Sequence, residues 1–135
     1  MANALYDHGR NAFLQGDIDW VNDTIKVILV DTADYTVDLA NHDYLDDVPA
    51  AARVATATLS GKTATAGVAD ADDTTFSSVT GDTCEALIIY KDTGTESSSP
   101  LIAYIDDATG LPITPNGGDI TVKWDDTADK KIFKL

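Results

Sequence analysis

Positive charge, cysteine and histidine are all scarce in this chain of 135 residues. Only 9 lysines and arginines stand against 23 acidic residues, which gives a formal net charge of −14. Nucleic acids and anionic membranes need clustered cations that neutralise phosphates. A single cysteine excludes an intramolecular disulfide and a cluster of thiolate ligands. We therefore expect no nucleic-acid partner, no membrane partner and no cofactor.

Long apolar runs are also missing. None approaches the roughly 18 residues of a membrane-spanning helix, and the N-terminus has neither the basic nor the apolar region of a secretory signal. Hydrophobic residues nevertheless make up 44% of the chain, which is too many for a disordered protein. We expect one domain over residues 1–135, with an N-terminal lead-in over 1–20 and a β core over 24–135.

Glutamate is the scarce acid, since 21 of the acidic residues are aspartate and only Glu85 and Glu96 are glutamate. Aspartate bonds nearby backbone in turns and caps and is poor inside helices. The 17 threonines suit the pleated, half-buried surface of a sheet. This composition predicts strands joined by many turns.

Apolar spacing places the elements along the chain. It predicts one helix over Asn3–Gln15, in which Gly9 is the weak point, and a helical turn over Asn41–Asp47. Six or seven mostly antiparallel strands predict an all-β sandwich or small barrel. The strand candidates are Thr24–Asp31, Arg53–Ser60, Lys62–Ala69, Phe76–Val79, Cys84–Lys91, Leu101–Ile105, Asp119–Asp125 and Lys130–Leu135.

Two strand pairings follow from this assignment. Leu87–Lys91 is expected to pair antiparallel with Leu101–Ile105 across a polar loop. Residues 53–69 are expected to form a hairpin that turns at Gly61-Lys62. Both arms of that hairpin are rich in alanine and threonine and contribute little to a core, so its edge could pair with another chain.

No motif in the sequence specifies a reaction. Gly61-Lys62-Thr63 resembles the end of a phosphate-binding loop, but Thr56 stands where that motif requires glycine. Cys84 opens an apolar strand, and His8 and His42 lack zinc-ligand spacing. We expect a protein that is not an enzyme.

Aspartate clusters raise the question of calcium. The clusters are Asp17, Asp19 and Asp23, and Asp70, Asp72 and Asp73. Neither provides the central glycine and final glutamate of an EF-hand loop. We interpret these aspartates as turn and cap residues, with an incidental surface ion as the alternative.

The order of several segments resembles that of a small structural protein of tailed-bacteriophage virions, over residues 5–135. The resemblance implies a structural role in the particle, made in the bacterial cytoplasm, and carries over no functional residues. It rests on the segments Ile18–Asp31, Ala51–Thr56, Leu59–Thr63, Ala69–Asp73, Glu85–Gly94, Pro100–Asp106, Thr109–Pro112 and Asn116–Ile120.

Three functions are consistent with the resemblance and the composition. The first hypothesis is a dimeric or trimeric protein that decorates or cements the capsid by bridging neighbouring major capsid protein subunits. The second is a tail or neck component whose hairpin at 53–69 builds rings. The third is a surface module that binds carbohydrate or ions, which calcium-dependent thermal stability would support.

Candidate contact residues for the first hypothesis are Arg10, Trp20 and Arg53. A neutral or basic patch that includes the two arginines would suit an acidic shell. Trp20 stands between the helix and the first long strand, where it either fixes the helix to the sheet or contacts a partner. Trp124 continues an alternating strand and is expected in the core.

Overall fold

The computed structural model describes residues 4–106, 110–124 and 132–134. Within these residues the chain forms one α-helix, α1 (Asp7–Leu14), and short 3-10 helices at Leu45–Asp47, Ala50–Ala52 and Glu96–Ser98. The prediction of an all-β chain with one short N-terminal helix is confirmed. The ten strands are β1 (Ala4–Leu5), β2 (Ile25–Val30), β3 (Arg53–Thr58), β4 (Thr63–Thr65), β5 (Val68–Asp70), β6 (Thr74–Phe76), β7 (Ala86–Lys91), β8 (Leu101–Ile105), β9 (Ile120–Val122) and β10 (Phe133–Lys134).

The strands of the described residues form three antiparallel sheets, ordered β1-β8-β7-β2-β3, β10-β5-β4 and β6-β9. None of these sheets closes into a barrel. The prediction of six or seven strands was too low, because several strands have only two or three residues and are too short to show alternation.

The five-stranded sheet carries apolar side chains on both faces. Ile25, Val27 and Leu29 of β2 join one core, and Ile28 and Val30 join the other. As predicted for a central strand, β2 lies between β7 and β3. The predicted pairing of β7 with β8 is also confirmed. One core includes both tryptophans, so the expected burial of Trp124 is confirmed.

The outer edge of β8 is covered by the N-terminal segment. β1 pairs with Ala103 and Tyr104, the N–H of Tyr6 donates to the carbonyl of Ile102 at 2.9 Å, and α1 then packs beside the rest of the strand. Gly9 permits that approach, because a Cβ at its position would lie 2.6 Å from the carbonyl oxygen of Leu101. Gly9 has a low helix propensity, but the close packing of α1 on β8 requires a glycine at this position.

The helix prediction was wrong at its N-terminal end. Ala4 and Leu5 form a strand, because pairing with β8 satisfies their backbone groups, and α1 starts at Asp7. The expected start at Asn3 lies outside the described residues.

The predicted hairpin over residues 53–69 is also wrong. β3 pairs with β2, and β4 pairs with β5 across a tight turn at Ala66 and Gly67. Both turn residues have positive φ, 54° and 78°, which is the backbone of a two-residue hairpin turn. Alternation in an Ala/Thr segment marks strands but does not say which strands pair.

Three smaller expectations fall near their predicted places. The turn expected at 41–47 is the 3-10 helix Leu45–Asp47. The strand expected at Phe76–Val79 lies at Thr74–Phe76, because Ser78 has φ of 50°, which ends extended structure. β10 (Phe133–Lys134) lies within the strand expected at 130–135, and the described residue before it, Ile132, is a bend.

A buried chain of hydrogen bonds ties segment 31–52 to the sheet. The hydroxyls of Tyr6 and Tyr35 lie 2.8 Å apart, and the Tyr35 hydroxyl lies 2.8 Å from Nδ1 of His42. Burial raises the pKa of Tyr35 to about 12 and the pKa of Tyr6 further still, so both hydroxyls stay protonated. Tyr35 is therefore the central member of the chain.

We expect Tyr35→Phe to lower the free energy of unfolding by about 1–3 kcal/mol, because it leaves the buried Tyr6 hydroxyl without its partner. The matched variant Tyr6→Phe keeps the bond between Tyr35 and His42 and should cost only about 0.5–1.5 kcal/mol. Urea unfolding of both variants measures the difference. If Tyr35→Phe cost the same stability as Tyr6→Phe or less, Tyr35 would not be the middle member of the hydrogen-bonded series.

Candidate partner-binding groove

The three contact candidates from the sequence lie on separate elements. Arg10 projects from α1 with its side chain half exposed, and its Nη1 lies 3.3 Å from Oδ1 of Asp7. Arg53 begins β3, at the opposite edge of the five-stranded sheet from β1. Trp20 is buried and packs against the β10-β5-β4 sheet. The structure therefore does not gather them into one surface.

Arg53 is engaged inside the protein. Its Nε donates to the carbonyl of Val48 at 3.0 Å, and its Nη2 donates to the carbonyls of Val48 and Leu45 at 2.6 and 3.0 Å. Its Nη1 bonds to Oε1 of Glu96. Arg53 thus fixes the turn before β3 in place, a role that nothing in the local sequence indicates.

Two of the lysines are paired with carboxylates as well. Lys26 lies 3.0 Å from Asp92, and Lys91 lies 3.1 Å from Asp23. Like Arg10 and Arg53, each of them lies beside a carboxylate that offsets its charge.

Trp20 forms one wall of an apolar groove. Its indole N–H donates to the carbonyl of Asp70 at 3.2 Å, and its ring meets the ring of Phe133 edge to face at 5.2 Å. These contacts fix the chain that follows α1 to β5 and β10. They support the alternative in which Trp20 is a fixing residue, while part of the residue still lines the groove.

The groove has a volume of about 440 Å³ and lies between the C-terminal end of α1 and the β10-β5-β4 sheet. Its floor is a row of three cross-strand neighbours, Ala64, Ala69 and Phe133, which share one face of that sheet. Phe13 and Ile18 join Trp20 in the walls. The two small alanines leave the open space, and this is the structural consequence of the Ala/Thr strands noted in the sequence.

Two exposed apolar side chains lie next in sequence to residues of this groove. Leu14 is 84% exposed and Val21 is 45% exposed, and they are the large hydrophobic side chains left exposed in the described part of the chain. Each follows a groove residue directly in sequence, Phe13 and Trp20. Sequence spacing alone could not find this site, because Phe133 reaches it only through pairing with β5.

The lining of the groove carries one negative charge. Asp19 is the charged residue among its lining side chains. Its carboxylate accepts hydrogen bonds from the side chain and backbone of Asn22, which hold the pKa of Asp19 below its usual range. The amines of Lys62 and Lys91 donate to the backbone carbonyls of Asp23 and Asp17, and the positive charge of Lys62 is close enough to contribute to the lowered pKa of Asp19.

The residues considered for catalysis are held in structural contacts. The thiol of Cys84 is buried beside the carbonyl of Asp82, and burial raises its pKa to about 11. The ring of His8 packs edge to face on Tyr44, with centroids 4.7 Å apart. A neutral buried thiol is a poor nucleophile.

No protein-family model and no curated protein matches this chain. Its interpretation therefore depends on geometry and on the resemblance in segment order. The described helices include none with the length and apolarity to cross a membrane.

Aspartates of the first cluster named in the sequence form turn hydrogen bonds. Asp19 and Asp23 bond to backbone and to Asn22, as turn residues do. The acidic groups that approach one another in the described residues are instead Asp31 with Asp34 and Asp82, and Asp43 with Asp46 and Asp47. Asp47 accepts the N–H groups of Asp43 and Tyr44, which makes it a cap of the 3-10 helix.

Proposed function

We propose that this protein is a non-enzymatic structural protein of a tailed-bacteriophage virion, and that it decorates or cements the capsid. The observation that carries the proposal is an open apolar groove beside exposed strand β4, on a chain with a net charge of −14. Contiguous apolar surface on an acidic protein is typical of a binding site. The resemblance in segment order is the reason for proposing a bacteriophage virion as the particle to which the protein binds.

The proposed mechanism is bridging of neighbouring major capsid protein subunits by many copies. A protein that binds only the assembled shell stabilises it by mass action. Contacts to two subunits at once make the attachment far tighter than either contact alone. The high negative charge keeps unattached copies soluble and apart. Dimers or trimers of the protein would multiply the contacts further.

Sedimentation tests this proposal directly. The purified protein is sized by light scattering and then mixed with heads that lack it, prepared from the phage whose genome carries this sequence. We expect a small oligomer that co-sediments with the heads and raises the temperature at which they release DNA. Protein that stays in the supernatant at saturating concentration would overturn the proposal. Protein sedimented without heads is the control.

A ring-forming tail or neck component is the second candidate, because β4 pairs along only one of its edges among the residues that the structure describes. The hairpin first expected to build such rings does not form, so β4 would have to take its place. The same light-scattering measurement separates the two candidates. Rings or tubes built by the protein alone, without binding to heads, favour the tail or neck.

A further inference from the structure

We propose that β4 accepts an extended segment of a partner protein as a fourth strand of the β10-β5-β4 sheet, with one large apolar side chain in the groove and basic side chains beside it. This inference deepens the proposed function and rests on it for the partner, a virion protein with a basic extended arm.

The first observation is the free edge of β4. It is the last strand of its sheet, it pairs with β5 alone among the described residues, and Thr63, Ala64 and Thr65 are all exposed. Hydrogen bonds alternate in direction along an antiparallel ladder, so part of the backbone of β4 points away from β5. Such an edge is a template for an added strand.

The second observation is the register between the edge and the groove. Ala64, Ala69 and Phe133 form one row across the sheet, and Ala64 is its outer end. A strand added beside β4 would extend this row by one residue. The side chain of that residue would stand over the groove, within reach of Trp20, where the alanines leave room. Edge and groove therefore form a single site for backbone and side chain.

The third observation is charge, which selects the occupant. Asp19 lines the groove with a lowered pKa, Asp17 two residues before it is exposed, and Lys62 is the cation whose charge reaches Asp19. A second copy of this chain would bring another net charge of −14 to the same place. Lysine or arginine on either side of the apolar residue complements the site. The occupant is therefore a basic segment of a different protein.

Peptide binding measured by NMR on the full chain tests the inference. The probe is the acetylated amide Thr-Lys-Thr-Phe-Thr-Lys-Thr, whose phenylalanine and lysines lie on one face when extended. We expect shifts of the backbone amides of residues 63–65 and of the indole N–H of Trp20. The same peptide with glutamate in place of lysine should bind about tenfold more weakly at low salt, and less so at high salt.

Two variants and one control sharpen this test. Ala64→Leu fills the groove from an exposed position and should weaken peptide binding about tenfold or more. Asp19→Asn should reduce the preference for lysine over glutamate. Ala51→Leu adds the same side chain at an exposed site away from the groove and should bind like the parent protein.

Several results would overturn the inference. These are peptide shifts that map away from β4 and Trp20, equal affinity for the two peptides, and full binding by Ala64→Leu. A dimer of the parent protein that Ala64→Leu dissociates would show that the occupant is a second copy. Co-sedimentation of Ala64→Leu with heads at parental affinity would leave the proposed function standing and this inference refuted. Peptide binding by a protein that does not bind heads would support strand addition at β4 and overturn the proposed function.

Discussion

Replacing Gly9 with alanine should lower the free energy of unfolding by at least about 3 kcal/mol, at or beyond the upper end of ordinary overpacking. The new Cβ would lie 2.6 Å from the carbonyl oxygen of Leu101 and 3.0 Å from Cα of Ile102. Both are backbone atoms of β8, so neither can turn aside as a side chain would. Relief requires α1 to move off the edge of the sheet.

Urea unfolding followed by circular dichroism measures this loss. Asn11→Ala is the matched control, because Asn11 is exposed on the same helix and alanine favours helix at that position. The control should be neutral or slightly stabilising. If Gly9→Ala cost less than about 1 kcal/mol, the close approach of α1 to β8 would be wrong.

Replacing Arg53 with methionine should lower the free energy of unfolding by about 2–4 kcal/mol, because the carbonyl of Val48 loses both guanidinium bonds and the carbonyl of Leu45 keeps only the N–H of Val48. Leu45 and Val48 are buried, so water is a poor substitute for the guanidinium. Methionine keeps much of the length of the side chain and isolates the loss of the hydrogen bonds.

Glu96→Gln is the control for the ion pair. The glutamate side chain is 58% exposed, and its attraction to Arg53 is screened by solvent, so stability should hardly change. Thermal unfolding of both variants separates the contribution of the hydrogen bonds to the carbonyls from that of the ion pair with Glu96. A stable Arg53→Met variant that binds heads more weakly would return Arg53 to the contact surface expected from the sequence.

The long strands were readable from the sequence because their apolar runs are strong local signals. Residues 86–91 and 101–105 are continuous apolar segments joined by a polar loop, and they pair as expected. Segment 53–69 was misread because alanine and threonine alternate in both β3 and β4, which do not pair with each other. Gly61 and Gly67 both have positive φ, and the true turn differs in that Ala66 also has positive φ, which alanine does not signal in a sequence.

The groove could be predicted only in pieces. Trp20 and the Ala/Thr edge were each noted, but their meeting depends on the pairing of β10 with β5, which joins residues distant in sequence. Arg53 was misjudged for the same reason. Its partners are backbone carbonyls, and a sequence does not show where those point.

The arrangement of β1 and β8 also bears on how the chain acquires its structure. β1 belongs to the start of the sequence but finds its place only beside β8, and β2 likewise awaits β7. Pairings between distant segments are slow to form, and proteins dominated by them fold in milliseconds to seconds. On the ribosome, most of the polypeptide must emerge before its first strand has a neighbour. The nascent chain therefore exposes unpaired strand edges for longer than a helical protein of equal size.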